Sequence, residues 1–402
     1  MIRHRLLLLL TAVFSVLGMA GCGGIRHVVA PTSNGRPRVT RTANPRQDVR
    51  TQKSAHPSPA LGIRHLTMMS SRRGWAIGNS HQIMTTTNGG QTWKNVTPSR
   101  LPIHVAGLFI HLAALSPSCA DVIWSQGEKG SVYFAVTKDY GRHWTIVRTA
   151  IVSYGPVQLD PVSPQDLWIL VPSVPGGPVS EATMYQSTTG GHSWQRVAHG
   201  PYLTMKFLSA HIGWVGGFFP ISGQSPLWTT TTGGHSWHQI ALPFPPQFGW
   251  YPMQIDHLEV FSHHVMIPAE FPTDRGMVLL LYRQELGHSH SWQMASPLRS
   301  TQSISFTFIS SQQGWALIKT PSGARKLMQT VNGGATWHSL VTLSIPFHVY
   351  NLQFVTVHDG WLWGVTNTGN RTEYVLWRTT DGGAHWQVIT PAIALRLHTP
   401  HT

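Results

Sequence analysis

Of the 402 residues, about 340 follow a polar N-terminal stretch; that is large for one conventional core and within the range of a repeat-built domain. Two cysteines, Cys22 and Cys119, exclude a disulfide framework, and 29 Lys+Arg against 15 Asp+Glu give a formal charge of +14. That excess is scattered and fits no nucleic-acid-binding module, while protonation of all 24 histidines would carry it to +38.

The chain opens on Met1-Ile-Arg-His-Arg5, a positive segment, and Leu6 to Leu17, an apolar run too short to span a bilayer. Residues 1–21 therefore read as a signal peptide. Met19-Ala20-Gly21-Cys22 resembles the bacterial lipobox, with Met where that pattern usually has Leu, and implies lipidation of Cys22. Ordinary cleavage leaving a free cysteine is the alternative. Downstream there is no second apolar run of spanning length, so the expected location is extracytoplasmic, anchored to the outer face of the cell membrane through Cys22. Residues 22–60 are rich in Pro, Arg, Thr and Ser and too poor in apolar side chains to offset ordering entropy. They read as a flexible basic linker, with seven Lys/Arg against Asp48 alone, reaching roughly 35 Å and drawn to anionic surfaces.

Residues 61–395 carry repeats, and 396–402 are a tail. A box of the form Ser/Thr-x-Asp/Asn/Thr-x-Gly-x-Ser/Thr/His-Trp ends at Trp93, Trp144, Trp194, Trp237, Trp292, Trp337 and Trp386, at spacings of 51, 50, 43, 55, 45 and 49 residues. The copy at Trp292 is degraded, with Gly287 and Ser289 where the acid and the glycine should stand. Before each box an alternating apolar run reaches a polar turn, often followed by Gly-Trp, as at Trp75, Trp214, Trp315 and Trp361. Period-2 runs around a short turn are hairpins, so each unit supplies two strands around the first turn and two around the box. The expected fold is all-β: a seven-bladed β-propeller of four-stranded antiparallel blades.

The box resembles the Asp-box, or BNR repeat, of sialidases, sortilin-type domains and photosystem II assembly-factor-like propellers. The resemblance runs over residues 62 to 391 and implies structural roles. Asn88, Asp139, Asn332 and Asp381 would accept hydrogen bonds within their own turns, with Thr189 and Thr232 as weaker acceptors. The glycine would adopt a conformation closed to other residues, and Trp93, Trp144, Trp194, Trp237, Trp337 and Trp386 would pack between blades. A group repeated in every blade serves the blade rather than one reaction. Ring closure is expected from residues near 50–61 or from those after Pro391.

Function is expected on the opposite face, among the connections from second to third strand and from one unit to the next. There Phe248, Trp250 and Tyr251 form an aromatic, proline-rich connection, and Lys129, Arg275, Arg325 and Arg371 offer a basic rim for an anionic ligand or acidic protein patch. The Arg-Ile-Pro motif of sialidases is absent. Asp160 with Asp166, Asp256 with Glu259, and Glu270 with Asp274 are the nearest carboxylate pairs in sequence, with nothing to place them in a cleft. His263 with His264 and His288 with His290 lack a second pair at metal-ligand spacing. No catalytic residue, cofactor or metal is expected. The resemblance to assembly-factor-like propellers implies a binding or assembly scaffold for a protein partner in a membrane or surface complex. Glycan binding or hydrolysis is the alternative, and nucleic acid is set aside. Scarce carboxylates also point to an acidic surrounding.

Overall fold

The computed structural model describes residues 61–127, 129–173, 181–219, 225–246, 252–255, 257–261, 263–286, 291–368 and 371–393. Cys22, Phe248, Trp250, Tyr251 and the segments 1–21 and 22–60 lie outside the described residues. The described chain is all-β, laid down as consecutive antiparallel sheets.

The first sheet is β1 (Ile63–Met68), β2 (Gly74–Gly78), β3 (Ile83–Thr86) and β4 (Thr92–Asn95). The second is β5 (Leu108–Ala114), β6 (Ala120–Gln126), β7 (Gly130–Thr137) and β8 (Thr145–Ser153). The third is β9 (Gln158–Pro161), β10 (Leu167–Pro172), β11 (Ala182–Ser187) and β12 (Gln195–Gly200). A ten-stranded sheet follows. It contains β13 (Tyr202–Phe207), β14 (Gly213–Phe219), β15 (Leu227–Thr230) and β16 (His238–Gln239). It continues with β17 (Met253–Gln254), β18 (Glu259–Phe261), β19 (His264–Thr273), β20 (Gly276–Glu285), β21 (Gln293–Met294) and β22 (Leu298–Ser300). Next come β23 (Ser305–Phe308), β24 (Gly314–Lys319), β25 (Arg325–Thr330) and β26 (His338–Leu343). The last four-stranded sheet is β27 (His348–Phe354), β28 (Gly360–Thr368), β29 (Arg371–Thr379) and β30 (Gln387–Ile389). Finally β31 (Ala392–Ile393) returns to pair in parallel with β4.

Around the degraded copy at Trp292 the long hairpin β19–β20 survives, and its neighbours are split, β17 and β18 both pairing with β19 and β21 and β22 both pairing with β20. Weak box chemistry there coexists with a strong apolar hairpin, whose Val265, Ile267, Ala269, Phe271, Val278 and Leu280 are buried.

One core cluster, around Trp214, Val265 and Tyr282, lies within the ten-stranded sheet, and the others straddle two consecutive sheets. Trp75 and Ile83 of the first sheet share one with Val122 and Trp124 of the second; Trp361, Trp363 and Leu376 of the last share another with Ile63, Leu66 and Met68 of the first. The ring is thereby closed by packing, and each fully buried tryptophan contributes about 2–3 kcal/mol of apolar burial. First strands of neighbouring sheets contact one another while outer strands such as β26 and β30 are largely exposed, so first strands line the axis.

Gly-Trp has a specific geometry. Phe308 pairs with Gly314, Phe354 with Gly360, and Phe207 with Gly213. A Cβ on Gly314 would lie 2.4 Å from the Phe308 ring, so glycine is what lets the ring lie flat over the strand. The tryptophan then reaches the next sheet. Trp315 stacks on Phe354, and Trp168, which follows Leu167 rather than a glycine, stacks likewise on Phe207, each at 4.0 Å. Its Nε1 donates to a turn carbonyl there: Trp168 to Gly233 O, Trp315 to Gly382 O and, across the closure, Trp361 to Gly89 O at 3.0 Å.

Inner strands are joined by side chains. Gln353 on β27 accepts from Met68 N (2.8 Å) and donates to Met68 O (3.1 Å); His111 Nδ1 on β5 accepts from Leu159 N (3.0 Å) on β9. Asp160 Oδ2 accepts from Phe207 N (2.6 Å) on β13, and Gln158 Nε2 donates to Leu203 O.

Candidate binding face

The turns that join third to fourth strands satisfy themselves. Asn88, Asp139, Asn332 and Asp381 each accept the backbone N–H four residues on at 2.9–3.0 Å, and the Thr189 and Thr232 hydroxyls do the same at 2.9 Å. His143 and His385 add imidazole donors to Asp139 and Asp381 at 2.5 and 2.7 Å. Backbone and then imidazole hydrogen bonds hold both carboxyls well below the usual carboxylate range. A role that residue reasoning passed over belongs to the first hydroxyl of each turn. Thr86, Thr137, Ser187, Thr230, Thr330 and Thr379 are buried, and each Oγ accepts the N–H of the second turn glycine, or of Gly141, at 2.8–3.0 Å. The periodic Ser/Thr at the head of the box was the available signal.

These turns also bond to the first-to-second strand turns: Gly89 N to Arg72 O, Gly190 N to Gln165 O, Gly233 N to His211 O, Gly333 N to Gln312 O and Gly382 N to His358 O. One edge of the ring is therefore consumed by internal bonding. The packing of the box tryptophans varies. Trp194 meets Phe134 of the preceding sheet edge-on at 5.9 Å and Trp144 donates to Val96 O, while Trp93, Trp237 and Trp386 donate to glycine carbonyls of their own turns. Trp337 meets Phe308 at 6.0 Å and its Nε1 is buried without a partner.

The opposite edge carries the second-to-third strand connections. Lys129 lies between β6 and β7, Arg275 between β19 and β20, and Arg325 and Arg371 open β25 and β29, so all four sit on that edge in four different hairpins. Lys129, Arg275 and Arg371 are exposed, and partial burial lowers the basicity of Arg325. Nothing draws the four together into one contact. The base of the connection leading to Phe248 is anchored: Tyr282 Oη donates to Pro243 O at 2.8 Å, and Phe244 packs edge-on against Phe271.

Where the last sheet meets the first, this edge gathers a cluster that sequence reasoning missed. Arg64 Nη1 donates to His81 Nε2 at 2.8 Å. His81 feels the charges of Arg64 and His104, which with burial as the larger cause lower its basicity. His104 is tied to the same turn through its N–H to Ser80 O. Tyr350 on β27 has its basicity raised by partial burial and then by Tyr374, against the opposing charge of Arg64, and its ring meets His348 at 6.0 Å. Tyr374 lies against Gly62 so closely that no Cβ would fit. His81 and His104 hold φ values of 69° and 61°, a backbone region that costs a non-glycine residue free energy and often marks a working site. No local sequence motif joins residues 64, 81, 104, 350 and 374; ring closure does.

The candidate carboxylate pairs are taken up separately. Asp160 binds Lys206 Nζ at 2.6 Å, Asp166 accepts from Ser163 Oγ at 2.8 Å, and Glu259 accepts from His257 Nε2 at 2.9 Å. Asp256 lies outside the described residues, and Asp274 is exposed on its turn.

Sheets packed in a closed ring, first strands to the axis, define a β-propeller. Solved structures agree. The structure of YCF48 bound to D1 peptide superposes with a TM-score of 0.52 at 15% identity, covering 81% of this chain and 93% of that one. YCF48 from Cyanidioschyzon merolae gives 0.51 at 13%, covering 81% and 97%. The GH74 xyloglucanase from Xanthomonas campestris gives 0.59 at 12%, and the match spans 83% of this chain and 55% of the enzyme. No protein-family model and no curated protein matches the sequence. At these identities the likeness is one of fold.

Proposed function

We propose that the chain is a lipoprotein, anchored through Cys22 to the outer face of the cell membrane, whose seven-bladed Asp-box propeller holds a protein partner on the edge that carries Arg64. Seven blades follow if the ten-stranded sheet is divided after β16, where only the short β14–β17 pairing joins its halves. The seam cluster carries the reading. It presents a guanidinium, imidazoles and tyrosines, and Arg64 forms no ion pair among the described residues. Such a surface suits an acidic or carboxylate-bearing segment of a protein. A binding role rather than hydrolysis is supported by the engagement of Asp160, Asp166 and Glu259 by other side chains. A protein ligand also agrees with the peptide bound by YCF48 on the same fold. Exposed Tyr350 favours a glycan as the second reading.

The test is cross-linking in the native cell, mild-detergent purification of the full chain and mass spectrometry of what accompanies it. One stoichiometric membrane complex is expected, with recovery falling about tenfold in Arg64→Glu, as charge reversal at a contact predicts. Deleting Phe248 to Tyr251 should weaken recovery further. Recovery of cell-wall material alone would overturn the protein-partner reading and point to the glycan.

A further inference from the structure

We propose that the cleft between the outer strand of the first sheet and the box turn of the second binds an acidic saccharide, one that carries carboxylate or sulfate groups. The cleft measures about 890 Å³ and is lined by Lys94 and Asn95 on one side and by Arg142, His143 and Trp144 on the other. That volume falls within the range of small-molecule sites and leaves room for a short run of linked sugar rings. The box turn stands on the edge opposite Arg64. This site is therefore separate from the seam cluster, and the inference does not rest on a protein partner.

The joint is built differently from its counterparts. Trp93, Trp194, Trp237 and Trp386 donate their indole N–H to a glycine carbonyl of their own turn, whereas Trp144 donates across to Val96 O of the first sheet at 2.7 Å. Trp75 meets the same indole edge-on at 6.3 Å, so the ring is held from two directions while it stays partly exposed. Gly141, at φ 75°, packs on Val96 so closely that an added Cβ would lie 2.6 Å from the valine Cβ. On the first sheet β31 pairs beside β4, and its Ile393 completes the wall. An indole fixed in advance loses little freedom when the apolar face of a sugar settles against it.

The polar lining consists of donors. Asn95 Oδ1 accepts Thr97 N at 3.0 Å and Thr97 Oγ1 at 2.6 Å, which fixes the amide and leaves the Nδ2 hydrogens for another acceptor. Lys94 and Arg142 are exposed and form no ion pair among the described residues. No carboxylate among the described residues lines the cleft. The neighbouring Asp139 is committed to its own turn: Oδ1 accepts His143 N and Thr137 Oγ1, both at 2.9 Å, and Oδ2 accepts His143 Nδ1. Ammonium, guanidinium and amide donors without a counter-charge select an anion. The indole and the size of the cleft select a sugar over a bare ion. An extended peptide is disfavoured, because the strand edge at Thr92 and Trp93, which could have given it a backbone ladder, is already taken by β31.

The test is isothermal titration of the full-length protein, in mild detergent, with trigalacturonate, a sulfated galactotriose, neutral galactotriose and triglutamate, the last matching trigalacturonate in net charge. At least one acidic sugar should bind saturably, and about tenfold or more tightly than the neutral sugar or the peptide. Lys94→Gln and Arg142→Gln alter exposed side chains, so folding should be kept, and each should weaken binding about tenfold, as loss of a hydrogen bond to a charged group predicts. Arg196→Gln, equally exposed on β12 and outside the cleft, should leave the affinity unchanged. Failure of both acidic sugars to bind, equal binding of galactotriose or triglutamate, or an affinity that survives in the Lys94→Gln, Arg142→Gln double variant would each overturn the proposal.

Discussion

At the scale of single residues the repeated turn divides its labour between what was legible and what was not. Acid or amide, glycine and tryptophan recur with a period and were readable as a turn. The leading hydroxyl also recurs, but serine and threonine are common and their burial depends on the next sheet closing over the turn. Thr379 is 1% exposed and accepts Gly383 N at 2.9 Å. Thr379→Val keeps the shape and strands that N–H, which should cost about 1–3 kcal/mol in a urea titration. Asp381→Asn should cost less, since Asn88 and Asn332 already accept the equivalent bond. Glycine at the fifth position answers a second demand. Gly191 holds φ 83° and an added Cβ would sit 2.2 Å from Phe134 of the adjoining sheet. Gly191→Ala should therefore cost at least about 2 kcal/mol by the same titration, strain and overpacking acting together.

At the scale of elements the hairpins were readable because period-2 runs and turn residues are local. What joins them was not. Gln353 on β27 and Met68 on β1 are far apart in the chain, and a glutamine in an apolar run looks like a solvated position until closure places it against another backbone. Gln353→Leu removes an acceptor from Met68 N and a donor from Met68 O. The expected loss is about 2–3 kcal/mol. Hydrogen exchange should quicken first in Ile63–Met68 and His348–Phe354, while the Leu108–Ala114 strand keeps its protection; uniform loosening would show that the bridge does not hold the seam in particular. The end of the chain had been one of two expected closures. Its β31 pairs with the outer strand β4 rather than with an inner one, and the closure itself rests on Trp361, Trp363, Leu376 and Gln353. The seam cluster stayed hidden for the same reason, since Arg64, His81 and His104 meet Tyr350 and Tyr374 only when the ring shuts. Of the basic rim, Lys129 and Arg275 lie in second-to-third strand connections and Arg325 and Arg371 are the first residues of β25 and β29 on the same edge, a placement that hairpin alternation decides without any long-range contact.

At the scale of the whole molecule, scarcity of carboxylates suggested tolerance of acid, and the buried groups make that balance more exact. Burial raises Asp121 to about 7, so its ionisation costs stability that is absent below the unfolded value of 3.8 and complete above about 7. Burial, then His65 and Lys206, lowers His111 to about 4, so its protonation costs stability that sets in as pH falls below 6.5 and is complete below about 4. Acidification from neutrality therefore relieves one buried charge while it forces another. The two shifts correspond to about 4 and about 3 kcal/mol, opposite in sign over nearly the same window. Burial also lowers His65 and His81 and raises Asp160, so the wild-type slope sums all of these groups and single variants are needed to isolate Asp121 and His111. Each variant should expose the slope its partner conceals. Asp121→Asn, freed of the carboxylate cost, should be more stable than wild type at neutral pH and lose that advantage steadily toward acid. His111→Gln should gain stability over wild type as pH falls. Denaturation midpoints across this range decide it: parallel profiles for the three proteins would mean that neither buried group sets the response to acid.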